Sequence, residues 1–222
     1  MSPLVLASAS PARLGLLRTA GLDPRVVVSA VDEAAVEATA RADDVHLSPA
    51  RLAQVLAEAK GADVRERLVG EGRQESGDAG AGEGTFVIAC DSVLEIDGRV
   101  HGKPGTPEVA RERWRSMRGR SGVLHTGHWV IDAATGRAAG APASARVHFA
   151  DITEAEIEGY VATGEPLHVA GGFTIDGLGA TFVESIEGHP STVVGLCLPL
   201  LRHLLADLGA TWWELASTPP RR

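Results

Sequence analysis

The chain has 222 residues, 44% of them hydrophobic and 23% charged, with a formal net charge of −8 at pH 7. That length suits one large domain or two small lobes with a sizeable core, and the acidic balance argues against a binder of nucleic-acid polymers, which needs a basic face. No apolar run approaches the roughly twenty residues of a membrane span, and Met1-Ser2-Pro3-Leu4-Val5-Leu6 lacks the positive region and long apolar segment of a signal peptide.

In chain order, 4–7 reads as a first strand, followed by Ser10-Pro11, a hydroxyl at N-cap with Pro at N1. The same signature recurs at Ser48-Pro49 and Thr106-Pro107, and Thr153 with Glu156 forms a capping box. These starts predict helices over 11–20, 49–68, 107–118 and 154–163. A last helix over 199–208 carries Leu200, Leu201, Leu204, Leu205 and Leu208 on one face and stops at Gly209. Further strands are expected at 26–29, 86–90, 93–96, 99–100, 122–131, 145–149, 173–175 and 181–186. Asp97-Gly98 marks a hairpin and Thr135-Gly136 a turn. The class is therefore α/β with a mixed sheet. Residues 70–84 show no periodicity and read as a mobile surface insertion, and the tail 210–222 lies outside the folded domain 1–209. Cys90 and Cys197 lack CxxC partners and read as buried thiols, a disulfide between them being the alternative.

Lys60 and Lys103 are the only lysines; every other basic residue is arginine. Lysine and arginine are not interchangeable at a tight site, so these positions draw attention. Ser8-Ala9-Ser10-Pro11-Ala12-Arg13 turns a strand into a helix, aiming backbone N–H groups and the helix dipole at its tip, with two hydroxyls and a guanidinium beside them. It is either a phosphate cradle or a plain helix cap. Asp32 and Glu33 are either ligands for a divalent cation or an exposed acidic turn. Asp91 in Cys90-Asp91-Ser92 ends a buried-type strand, where a carboxylate needs a partner such as a metal ion or Lys103. Gly102-Lys103-Pro104 places that lysine on a stiffened loop. Gly171 to Gly179, with Asp176 as its polar reader, is either a loop contacting a base or sugar, or a bending strand. His125 and His128 are three apart in a strand, hence on opposite faces, and read as structural. The signatures GxSxG, HExxH and the P-loop are absent.

Taken together, these segments resemble the Maf family of nucleoside triphosphate pyrophosphatases. The resemblance rests on Leu6-Ala7-Ser8-Ala9-Ser10-Pro11-Ala12-Arg13, Val31-Asp32-Glu33, the helix ending at Lys60, Ala89-Cys90-Asp91-Ser92, Gly102-Lys103-Pro104 and His125-Thr126-Gly127. It continues through Ala162-Thr163-Gly164-Glu165-Pro166-Leu167, Ala170-Gly171, Gly177-Leu178-Gly179 and Val193-Val194-Gly195-Leu196. It implies an elongated α/β fold with a strongly bent mixed sheet and two lobes around a central cleft, often a homodimer, in the cytoplasm. It further implies metal-dependent hydrolysis (Mg2+ or Mn2+) of a nucleoside triphosphate to monophosphate and pyrophosphate, including non-standard nucleotides. Asp91 matches the family's proton acceptor and a metal ligand with Glu33. Ser8, Ser10, Arg13, Lys60 and Lys103 match its phosphate-binding residues.

Three positions depart from the family pattern. Ala12 stands where a second Arg is common, Ser92 where Thr is common, and Asp176 where Gln is frequent. All three resemble positions that set base specificity. An ionised Asp accepts hydrogen bonds but donates none, so the Gln-type reading of uracil or thymine does not carry over; acceptance from the N1–H and N2 amino group of guanine and a broad base preference are equal alternatives. The rival function is a non-catalytic nucleotide-binding regulator of cell division or septum formation, which would bind a triphosphate without consuming it.

Overall fold

The computed structural model describes residues 3–76 and 84–216, with the side chains of 72–76 excepted. Strand β1 (Leu4–Leu6) is buried throughout and leads into helix α1 (Pro11–Thr19). Next come β2 (Arg25–Val26), α2 (Glu33–Asp43), α3 (Pro49–Ser76), β3 (Phe86–Ile96), β4 (Arg99–His101), α4 (Pro107–Met117), β5 (Ser121–Asp132), β6 (Ala138–Phe149) and α5 (Glu154–Ala162). Three 3-10 turns follow, Glu165–His168, Ala170–Gly172 and Leu178–Phe182, and then β7 (Val183–Glu187), α6 (Pro190–Val194), α7 (Leu198–Asp207) and α8 (Trp212–Leu215).

The seven strands form one mixed sheet in the order β2-β1-β3-β5-β6-β7, with β4 also paired to β3. β1 runs parallel to β2 and β3, whereas β3–β4 and β6–β7 are antiparallel. The sheet is not strongly curled, against the expectation of a strongly bent one. Its strand path is open, from β2 at one edge to β7 at the other. Curvature is usually introduced by bulges, and the β6–β7 ladder carries a single irregularity, at His148/Phe149.

The local signatures act as expected. Ser10, Ser48 and Thr106 each accept a hydrogen bond from the backbone three residues on, and the capping box of Thr153 and Glu156 is complete. The β3–β4 hairpin turns through Asp97 and Gly98, both at positive φ. Both cysteines are buried, and no disulfide joins them.

Four expectations are corrected. Helix α3 runs on to Ser76, through the first part of the expected insertion, because each added turn forms its own hydrogen bonds and a glycine costs only about 1 kcal/mol; residues 77–83 lie outside the described residues. Residues from Glu33 form helix α2 rather than a loop, with Asp32 as N-cap accepting from the Ala35 N–H. Strand β3 continues through Asp91 to Ile96, so that aspartate is not at a strand end. Residues 173–175 are not a strand: Phe173 is buried in the core between two 3-10 turns.

The chain divides into two compact units. The first comprises Met1–Asp91, Gly127–Pro142 and Leu198–Arg222. Its core joins Val5 of β1 and the Ala7 that follows it, Val87 and Ala89 of β3, and Ile131 of β5 to Val64 and Leu68 of α3. The second comprises Ser92–Thr126 and Ala143–Cys197. It centres on the fully buried Trp114, whose indole meets Phe149, Tyr160 and Phe182 edge-on with ring centroids 5.5–5.8 Å away. Such edge-to-face pairs stabilise beyond their buried area by about 0.5–1.5 kcal/mol each.

Candidate active site

In the first unit, the chain leaves β1 and turns at once into α1. Ser8 is buried, and its Oγ accepts from the Ser10 N–H at 3.2 Å and from Arg13 Nη1 at 3.1 Å. Ser10 Oγ caps α1 by accepting the Arg13 N–H at 3.3 Å. Arg13 Nη1 also donates to the Cys90 carbonyl at 2.8 Å, tying the turn to β3 one residue before Asp91. The serine–arginine turn and the aspartate strand are thus held by one guanidinium.

Helix α3 brings the lysine. Buried Gln54 donates to the His128 carbonyl at 3.0 Å and accepts from the His128 N–H at 3.1 Å, so its amide pairs with the backbone of β5 as a neighbouring strand would. Gly127 lies against this junction: a Cβ there would sit 2.2 Å from the Ala53 carbonyl oxygen. One residue after Lys60, a Cβ on Gly61 would lie 2.6 Å from Trp129 and 3.4 Å from Ala89 of β3. A glycine inside a helix is costly; here it admits the close approach that carries Lys60 to the sheet. Lys60 Nζ lies 2.5 Å from Asp91 Oδ1 and 2.8 Å from Glu33 Oε1. Lys60 and Asp91 have side chains only 11% exposed, whereas that of Glu33 is 54% exposed. Burial pushes the Asp91 carboxyl above its ordinary range, with Lys60 and Arg13 opposing and Glu33 adding to the rise.

Ser8, Ser10, Arg13, Glu33, Lys60 and Asp91 therefore gather in one unit. The partner Asp91 finds is Lys60, not Lys103. Ala12 is half-buried in the first turn of α1.

Ser92, Lys103 and Asp176 belong to the second unit. Ser92 Oγ meets Thr126 Oγ1 at 2.9 Å, and Thr126 donates onward to the Thr192 carbonyl at 3.0 Å. Lys103 is exposed on the loop between β4 and α4. The Gly102 carbonyl before it accepts from Arg113 and from the Gly171 N–H, and the Gly105 N–H after it donates to the Leu167 carbonyl. Burial lowers the Arg113 pKa. Asp176 is exposed at the tip of the 174–179 loop.

Sequence reasoning did not single out Gln54, and it named Glu165, the carboxylate under the 174–179 loop, only within a motif and without a role. A buried glutamine on an apolar helix face was the available signal for the first. For the second it was an acid between Gly164 and Pro166 ahead of a glycine-rich segment.

Residues 3–208 match the family described as Maf-like protein. A nucleoside triphosphate pyrophosphatase of Leifsonia xyli subsp. xyli is 53% identical over 215 residues, covering 96% of this chain and 95% of the relative. Proteins of the same name from Salinispora tropica and Streptomyces coelicolor are 53% and 52% identical, over 98% and 96% of this chain and 90% and 93% of their own lengths. With its length matched almost end to end, the chain belongs to the Maf-like protein family.

Proposed function

We propose that this protein is a nucleoside triphosphate pyrophosphatase, hydrolysing a nucleoside triphosphate to the monophosphate and pyrophosphate. The observation that carries this reading is the buried Lys60–Asp91 contact at 2.5 Å beside the Ser8–Arg13 turn. A carboxylate raised in pKa by burial and braced by two cations suits the acceptance of a proton from attacking water. The relatives bearing this activity in their names support the same reading. One catalytic domain over 1–209, working in the cytoplasm as a homodimer, completes it; among the described residues no helix is long and apolar enough to cross a membrane.

Phosphoryl transfer asks for positioning and charge neutralisation more than for covalent chemistry. Asp91 orients a water toward the α-phosphorus and takes its proton. Lys60 holds the carboxylate in place and offers its ammonium to the departing pyrophosphate, and Arg13 and Lys103 neutralise phosphate oxygens. Ser8 and Ser10 accept through oxygen within the turn, so their hydroxyl hydrogens can donate to phosphate. Ala12, Ser92 and Asp176 set the base preference, with Asp176 accepting from a guanine edge.

The charges of Arg13 and Lys60 cancel against those of Glu33 and Asp91, so this cluster leaves a polyanionic substrate uncompensated. Its anionic donors are all carboxylate oxygens, the hard donor type that Mg2+ or Mn2+ takes together with substrate phosphates. The residues fit such a cation: Glu33 and Asp91 would hold it, and when bound it would supply the missing positive charge. The test is pyrophosphate release from a panel of standard and modified nucleoside triphosphates, with and without Mg2+ or Mn2+. Metal-dependent release supports the enzyme. Nucleotide binding without release, even with either metal present, supports the regulator instead.

A further inference from the structure

Glu165 begins the first 3-10 turn of the second unit, and its carboxylate accepts four hydrogen bonds. Oε1 takes the Tyr160 hydroxyl at 2.9 Å, the Thr174 hydroxyl at 2.6 Å and the Gly179 N–H at 2.9 Å, while Oε2 takes the Leu178 N–H at 2.9 Å. The two amides are the first of the 3-10 turn Leu178–Phe182, which has no side-chain cap of its own. Glu165 thus caps that turn from a distant point in the chain, where a carboxylate on free N–H groups bonds most strongly.

The glycines of the loop follow from the same contact. A Cβ on Gly177 would lie 2.6 Å from Glu165 Oε2, and one on Gly179 would lie 2.4 Å from the Tyr160 hydroxyl. The segment must be bare backbone to lie on this carboxylate. Asp176 is therefore suspended between two anchored points, Thr174 on one side and Leu178–Gly179 on the other, with its own side chain exposed.

We propose that Glu165 is a positioning residue for nucleobase selection: its carboxylate fixes the 174–179 loop so that Asp176 meets the base edge in one pose. This rests on the reading of Asp176 as the base reader. Glu165 touches no reacting atom; it acts through the loop. Glutamine cannot replace it. With its carbonyl where Oε1 sits, its amide nitrogen faces the Leu178 N–H, donor against donor.

The experiment compares the wild-type chain with Glu165→Gln and Asp176→Asn, using guanine and pyrimidine triphosphates in steady state and amide hydrogen exchange of residues 174–179. In Glu165→Gln, KM for the preferred nucleotide rises about tenfold, the equivalent of one lost charge-assisted hydrogen bond. The change in kcat is much smaller, the preference between bases flattens, and the Leu178 and Gly179 amides exchange at least about tenfold faster. A lower melting temperature with KM and base preference unmoved would make Glu165 merely structural and overturn the proposal, as would unchanged exchange. If Asp176→Asn leaves base preference intact, the base-reading role itself fails, and the exchange data separately decide whether Glu165 anchors the loop. Should Glu165→Gln not fold, Thr174→Val removes one donor at less cost, with the same signs expected at smaller size; its absence of effect on both readouts refutes the anchor.

Discussion

Replacing Lys60 with Met removes the ammonium from between two carboxylates while keeping most of the side chain's bulk. Two unit charges 2.5 Å apart attract by about 7 kcal/mol at an effective dielectric of about 20, and desolvation of both partners offsets much of that. Stripping one partner from a buried pair costs about 3–5 kcal/mol in practice. The loss falls at the low end, about 3 kcal/mol, because Asp91 already lies above its ordinary range and can take a proton once Lys60 is gone. The pH dependence has a definite sign. With a folded pKa raised above 3.8, Asp91 contributes stability that is fully present below the unfolded value and is lost as pH rises through the folded one. Without Lys60 the folded value rises further, so the variant's deficit grows from acid toward neutral pH and closes where Asp91 is neutral in both proteins. Glu33→Gln breaks the other contact of Lys60, but Glu33 is 54% exposed, so its cost is at most about 0.5 kcal/mol. Urea unfolding of both variants at several pH values measures this. Equal costs for the two substitutions, or a Lys60→Met deficit independent of pH, would mean that the buried Lys60–Asp91 contact does not contribute in this way.

Gly127→Ala places a Cβ 2.2 Å from the Ala53 carbonyl and 2.5 Å from the Gln54 Cα. Backbone must move, and thermal unfolding should show a loss of about 3 kcal/mol or more. Gln54→Leu leaves the buried His128 N–H and carbonyl without their amide partner and should cost about 2–4 kcal/mol in denaturant unfolding. Glu165 titrates below its ordinary range: burial opposes this, but the Thr174 hydroxyl, the Leu178 and Gly179 amides and the Tyr160 hydroxyl outweigh it. Its stabilisation is therefore present above the unfolded value of 4.5 and lost as pH falls through the lower folded one. The stability gap between wild type and Glu165→Gln should accordingly close in acid, as read by unfolding at stepped pH.

What was legible in the sequence is what is decided locally. Ser10-Pro11, Ser48-Pro49, Thr106-Pro107 and Thr153 with Glu156 start helices because a cap needs only the next three residues. Helix α2 escaped notice because it buries no side chain, so no apolar stripe announces it, and its N-cap Asp32 looks like an acidic loop. The polar Asp91-Ser92 pair broke an apolar run that the ladder nonetheless continues through to Ile96. Motif order pointed to Ser8, Arg13, Lys60 and Asp91 as candidates, yet the pairing of Lys60 with Asp91 spans 31 positions and depends on Gln54 and Gly61 docking α3. Tertiary packing sets that distance, and no local pattern encodes it. The same holds for Glu165, whose acceptor role appears only once Leu178 and Gly179 fold back onto it.

The proposed chemistry places water, activated by Asp91, on the α-phosphorus. Turnover of a nucleoside triphosphate in water carrying heavy oxygen tests this directly, with Asp91→Asn as the companion variant. The label is expected in the nucleoside monophosphate and not in pyrophosphate, with a fall of at least about a hundredfold in rate for Asp91→Asn and the fold retained. Label in pyrophosphate, or a variant that turns over like the wild type, would contradict this chemistry.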